Sequence, residues 1–285
     1  MKNNAKTAVI LAAIGGLMIV AGGALGGTSG AAIGLTIGLV FVGGSYWFSD
    51  KLAIKSARAV EVSAEQMPRY HAIVADLAQR AEIPMPRLYV SPDPQPNAFA
   101  TGRNPDNAAV CVNQGILDVL TWEELQGVLA HEISHVRNRD ILISSVAASV
   151  AMGITFLAQM AMWASMFGGA GGRDRNDNVL GTLAVAILAP IAAAFLQAAL
   201  SRSREYEADR RGAKLLGDGE ALARALEKLD RGTKLIPSSA NPAQASAYIA
   251  NPFSGQKSNF SMRFSATHPP MEDRIARLRS GEWQR

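Results

Sequence analysis

Residues 121–141 read Thr121-Trp122-Glu123-Glu124-Leu125-Gln126-Gly127-Val128-Leu129-Ala130-His131-Glu132-Ile133-Ser134-His135-Val136-Arg137-Asn138-Arg139-Asp140-Ile141. Thr121 followed three residues later by Glu124 is a capping box, so a helix begins here. A spacing of four puts His131 and His135 on one face of that helix with Glu132 beside them. Two imidazoles so placed can hold a zinc ion, and the carboxylate can take a proton from water as it attacks a carbonyl. Only four histidines occur in the chain, and two of them occupy this spacing. The helix, expected over residues 121–139, runs directly into a block without charge, with Arg137, Arg139 and Asp140 at the junction. A polar face with catalytic chemistry and an apolar segment therefore share one continuous stretch.

Outward from this helix the composition points the same way. The 285 residues carry 28 Lys+Arg against 24 Asp+Glu, a net charge of +4, with 48% hydrophobic and 18% charged residues, where an ordinary soluble domain has about 25% charged. The apolar residues gather in blocks at residues 7–27, 31–48, 141–167 and 179–200, each near the roughly 20 residues that cross a bilayer as a helix. The first two are rich in glycine, which lets helices approach closely in lipid, and residues 26–30 are expected to form the turn between them. A signal peptide is disfavoured because a second apolar block follows the first at once. Pro190 should kink the fourth block, and Gln159 and Gln197 suit partly sheltered faces. Lys51, Lys55, Arg58, Arg137, Arg139, Arg202 and Arg204 fall on one side of a four-span arrangement, which makes that side cytoplasmic, with both termini there. Arg173 and Arg175 lie in the opposite loop and weaken the asymmetry without reversing it. The single cysteine, Cys111, excludes an internal disulfide framework, and no basic stripe with interleaved aromatics points to nucleic acid.

The expected organisation is an N-terminal transmembrane hairpin at 1–50, a polar part with the histidine helix at 51–140, a second hydrophobic hairpin at 141–201 and a second polar part at 202–285. The two polar parts are expected to form one α+β, mostly helical domain with a small sheet. Residues 61–82 read as an amphipathic helix with Ala72, Ile73, Leu77 and Ala81 on its apolar side, ended by Pro84 and Pro86. Residues 87–90, 98–101 and 109–112 read as strands, residues 237–264 as a long loop and residues 271–279 as a final helix.

A catalytic zinc site has a third protein ligand. An antiparallel hairpin made from the third and fourth blocks returns Ser201-Arg202-Ser203-Arg204-Glu205-Tyr206-Glu207-Ala208-Asp209 beside the histidines. Glu205 and Asp209 are four apart and share a face, whereas Glu207 points roughly 200° away at about 100° per residue and can pair with Arg211. Glu205 is therefore the candidate ligand and Asp209 the acceptor that orients a ligating imidazole.

These residues resemble the HtpX-type membrane zinc endopeptidases, related to the CAAX prenyl endopeptidases. The likeness runs over nearly the whole chain: two N-terminal spans, Asn97-Ala98-Phe99-Ala100-Thr101-Gly102, the histidine helix, a hydrophobic hairpin, the Ser201 to Asp209 segment, and Thr267-His268-Pro269-Pro270 followed by Arg274. The resemblance implies one Zn2+ per chain held by His131, His135 and Glu205, His268 assisting near the scissile carbonyl, and Arg274 supporting the ligands from behind. It implies a gluzincin-like metalloprotease domain on the cytoplasmic face of a bacterial-type inner membrane. Its substrates would be protein or peptide chains, membrane proteins foremost, in quality control under stress.

Asn97, Ala98, Phe99 and Ala100 carry two readings: an edge strand to which an extended substrate adds by backbone hydrogen bonds, or a short core strand after a Pro-rich turn. His71 has no metal-binding partner at ligand spacing and is structural, and Cys111 sits in an apolar strand and belongs to the core. Alternatives to the surface endopeptidase are an intramembrane site-2-type zinc protease, opposed by the charges just beyond His135, and a non-catalytic scaffold stabilised by zinc. A di-iron bundle would need a second Glu-x-x-His pair, which the sequence lacks.

Overall fold

The computed structural model describes residues 50–142, 202–236, 248–250 and 269–284, together with residue 144 and scattered helical positions between residues 12 and 48. Four short strands make one sheet: β1 (Val60–Glu61), β2 (Arg87–Ser91), β3 (Ala98–Gly102) and β4 (Ala108–Asn113), in the order β1-β2-β4-β3. β2 and β4 are parallel and the other pairs antiparallel, with Phe99 opposite Cys111 and Ala100 opposite Val110. Among the described residues β3 is therefore an edge strand. Six helices complete the described core: α1 (Pro68–Arg80), α2 (Gln114–Val119), α3 (Trp122–Arg137), α4 (Arg202–Leu216), α5 (Glu220–Leu235) and α6 (Met271–Arg279).

Strand alternation divides the sheet's side chains between two faces. Leu88, Ala98, Ala100, Val110 and Val112 join Tyr70, Val74, Leu77, Val128, Leu129, Leu222 and Leu226 in the main core. Tyr89, Phe99, Ala109 and Cys111 point the other way, against Ala53, Ile54, Ala57 and Ala59. The helical residues 50–56 that follow the second apolar block thus lie on the sheet's back face, pinned there by Arg87 donating to Asp50 Oδ2 at 2.7 Å and Ser91 Oγ donating to the Ala57 carbonyl at 2.7 Å.

α3 is the central helix. Thr121 caps it with both bonds of the capping box, and the same Glu124 accepts from Lys228 of α5 at 2.7 Å. Two glycines set its distance from its neighbours. A Cβ at Gly127 would stand 2.6 Å from the Leu222 backbone nitrogen, and one at Gly212 of α4 would stand 3.0 Å from the His131 nitrogen. Helix backbones approach this closely only where no side chain intervenes.

The C-terminal helix is fastened by a buried guanidinium. Arg274 of α6 donates twice to Asp209 of α4, at 2.8 and 2.7 Å, and once to the Ile249 carbonyl at 2.9 Å, while only 1% exposed. Burial alone would raise the Asp209 carboxyl, but Arg274 and the contact with His131 outweigh it and hold the group well below the usual carboxylate range.

Several expectations are corrected. The helix expected over residues 61–82 is α1, Pro68–Arg80. Val60 and Glu61 are spent on pairing with β2, Ser63 and Gln66 close a turn of their own through reciprocal hydrogen bonds, and Pro68 lacks the N–H that an earlier helix would need. Glu82, with φ +54°, closes the other end. Residues 27–33 are helical, so most of the turn expected at 26–30 belongs to the following helix. Helices α2 and α5 were not anticipated. Asp218, accepting from the Glu220 and Ala221 nitrogens, marks the start of α5. No helix among the described residues is long and apolar enough to cross a membrane. The third and fourth apolar blocks fall almost wholly outside the described residues, as does most of the loop at 237–264.

Two outcomes follow from this packing. Gly127→Val forces the α5 backbone away from α3 and is expected to lower stability by about 1–3 kcal/mol, read as a drop in the thermal midpoint of the purified chain. Arg274→Met leaves Asp209 buried without its cation and should cost about 3–5 kcal/mol. A depressed carboxyl contributes stability that is complete above its unfolded value near about 4 and is lost as the pH falls below it. The wild-type midpoint should therefore fall on acidification from about pH 5 to about pH 3, and the variant should show less of that loss.

Candidate metal centre

His131, Glu132 and His135 lie on the part of α3 that faces α4 and β3, and Gly212 is what lets α4 come near enough for Glu205 to face both imidazoles. The two ring Nε2 atoms are 3.2 Å apart, and Glu205 places Oε2 3.6 Å from that of His131 and Oε1 3.6 Å from that of His135. One ligand atom from each of the three residues falls within 4.8 Å of the other two. Atoms bound to one tetrahedral ion at about 2.0–2.2 Å are separated by about 3.3–3.6 Å, so the donor set has the spacing and chemistry for a divalent metal. It offers three ligands among the described residues, the number that leaves a coordination position open.

Behind the ligands stand carboxylates. Asp209 Oδ1 is 2.8 Å from His131 Nδ1. Arg274 backs Asp209 and comes within 3.9 Å of Glu205. Asp140 Oδ2 is 3.2 Å from His135 Nδ1. Burial lowers His131 despite Asp209. At His135 the lowering effect of burial is exceeded by Asp140, Glu205 and Glu132, and the imidazole is pushed up to about 9. Ligation needs a neutral imidazole, so an incoming metal ion competes with a proton at His135.

Glu132 is fixed from the sheet: the Ala100 N–H donates to its Oε2 at 2.9 Å. Burial is the main reason its carboxyl is pushed up to about 8. Asn113 donating to the Asn97 carbonyl sets the ladder's phase, so the N–H and C=O of Ala98 and Ala100 turn to the side of β3 away from β4. Asn97 and Phe99 are engaged by the chain itself. Asn97 Oδ1 accepts from the Ile249 nitrogen at 3.2 Å, and Phe99 stacks on Tyr248 with ring centroids 6.3 Å apart.

Of the residues singled out in the sequence, His131, Glu132, His135, Glu205, Asp209, Arg274 and Ala100 converge here, while His268 lies outside the described residues. Glu207 sits apart, paired with Arg210 at 2.8 Å and with Arg211. His71 Nε2 donates to the Val62 carbonyl, 2.8 Å away. Burial pushes the Cys111 thiol up to about 12, which leaves it inert. Sequence reasoning missed Asp140 as a neighbour of His135 and the Ala100 N–H as the anchor of Glu132. The first depends on a backbone turn and the second on a strand distant in sequence.

Comparison with known proteins agrees with this geometry. The profile of peptidase family M48 matches residues 63–282. The chain is 48% identical over 283 residues to a protease HtpX homolog of Desulforapulum autotrophicum, covering 99% of this chain and 91% of that protein. It is 48% identical over 277 residues to a protease HtpX homolog of Persephonella marina, covering 96% and 95%. The crystal structure of S. mikatae Ste24p matches with a TM-score of 0.52 at 18% identity, over 97% of this chain and 65% of that one, a likeness of fold. Matched along most of its length by the family and nearly end to end by these proteases, the chain belongs to peptidase family M48 and is a metallopeptidase.

Proposed function

We propose that this protein is a membrane-anchored zinc endopeptidase that cleaves membrane or misfolded proteins at the cytoplasmic face of a bacterial-type inner membrane. The observation that carries the proposal is the meeting of His131, His135 and Glu205 beside a carboxylate, Glu132, held by the edge strand. A divalent ion bound there supplies a Lewis acid and brings the pKa of water towards neutrality. Glu132 keeps one oxygen on the Ala100 N–H and takes the proton of the attacking water at the other, later returning it to the leaving amine. Asp209 and Arg274 hold His131 in place. A substrate laid along β3 would use the backbone of Ala98 and Ala100, beside Asn97 and Phe99.

His268 is assigned to the oxyanion formed during attack. It precedes α6 by three residues, and Arg274 of that helix reaches Glu205, which supports a position near the reacting carbonyl. Membrane anchoring is supported by the apolar blocks and by exposed Ile33, Ile37, Leu39, Val40, Trp47 and Phe48 on the N-terminal helical residues. The basic residues beyond them support the cytoplasmic orientation. Protein quality control under stress is the role that the resemblance to HtpX-type enzymes suggests.

Purified protein should cleave a membrane-protein substrate, and a chelator should abolish cleavage. Glu132→Gln is expected to keep its zinc and lose about 10²–10⁴ in turnover, whereas His131→Ala should lose zinc and activity together; full turnover in Glu132→Gln would remove the base assignment. In intact cells, Ser63→Cys should resist an impermeant external thiol reagent, and its labelling would reverse the orientation.

A further inference from the structure

The two imidazoles of the metal centre are braced from different places. His131 is backed by Asp209 and through it by Arg274, all in the interior of the domain. His135 is backed by Asp140, whose side chain is 6% exposed and whose Oδ2 lies 3.2 Å from the ring Nδ1.

Asp140 could not reach that ring from a continuous helix. Five residues on, a side chain is turned about 140° around the axis and raised about 7.5 Å along it. The contact exists because α3 stops at Arg137, Asn138 caps it by donating to the Ser134 carbonyl, and Arg139 adopts φ +59°. That left-handed conformation is unfavourable for an L-residue other than Asn or Asp, and here the turn brings the next residue back beside the helix that has just ended. Ile141 and Leu142 are buried and anchor the return. The charged groups around the contact are Glu132 and His131 on α3 and Glu205 and Arg204 on α4, and the charges of Asp140 and Glu205 both act on Arg204.

We propose that Asp140 is a positioning residue for the metal: it takes the Nδ1–H of His135, which fixes the ring's orientation and leaves Nε2 to the ion. The assignment rests on the metallopeptidase reading of the His131, His135 and Glu205 cluster. An imidazole held in this way has one tautomer and one orientation, and losing such a partner typically lowers metal affinity 10- to 100-fold. A carboxylate that merely finished the helix would affect folding and leave the metal alone.

The test uses zinc and the full-length purified protein, with affinity read by competition against a chromophoric chelator. Asp140→Ala is expected to bind zinc 10- to 100-fold more weakly than wild type. Asp140→Asn keeps an oxygen that can accept from Nδ1 and should recover part of the loss. Both variants should also shift the visible spectrum of the cobalt-substituted protein, which senses ligand orientation. If Asp140→Ala fails to fold, Asp140→Asn carries the comparison through its affinity and cobalt spectrum. Wild-type protein that binds zinc, with Asp140→Asn and Asp140→Ala matching it in affinity and spectrum, overturns the proposal. Wild-type protein that takes up no zinc overturns the metal-centre reading on which it rests.

Discussion

A guanidinium sealed from water is the constraint around which this domain is arranged. Arg274 is among the most deeply buried side chains described, and a buried charge persists only where opposite charge and hydrogen-bond acceptors surround it. Asp209 supplies the charge and the Ile249 carbonyl the further acceptor. Because Asp209 also faces His131, meeting the needs of Arg274 fixes α4, α6 and residues 248–250 against α3 in one arrangement. His131, His135 and Glu205 inherit their spacing from this network and from the two glycines that let helix backbones come close.

The sheet contributes from the other side. Its front face fills the core, while its back face is occupied by residues that continue from the second apolar block. Phe99, on the strand next to the centre, belongs to that back-face cluster. Ala100, its neighbour, points into the core and gives its N–H to Glu132. One strand therefore touches both the N-terminal helical segment and the Glu132 carboxylate.

Much of the centre was legible where it depended on helical spacing. The capping box fixed the start of α3, the interval from His131 to His135 put both rings on one face, and the interval from Glu205 to Asp209 brought both carboxylates to the histidines while sending Glu207 to the outer side. What remained hidden depended on backbone turns or long-range packing. Asp140 is five residues from His135, a separation that a helix would make irrelevant, and only the left-handed Arg139 reverses that. The start of α1 was misjudged because the pairing of Val60 and Glu61 with β2 overrode the amphipathic pattern around them. α5 carries its apolar residues at helical spacing after Asp218 and was legible in principle.

The bond between Ala100 and Glu132 bears on how a protease can be indifferent to sequence and still exact about where it cuts. Strand addition uses repeating backbone groups, so an incoming chain could slide by two residues and find an equivalent set. β3 is not equivalent along its length, because the donor at Ala100 is already committed to Glu132. A peptide carbonyl brought opposite that position finds no free N–H, whereas its amide still meets a carbonyl. If a substrate adds there as proposed, the gap breaks the translational symmetry of the edge and gives it a zero point, so that the backbone itself would index the bond to be cut.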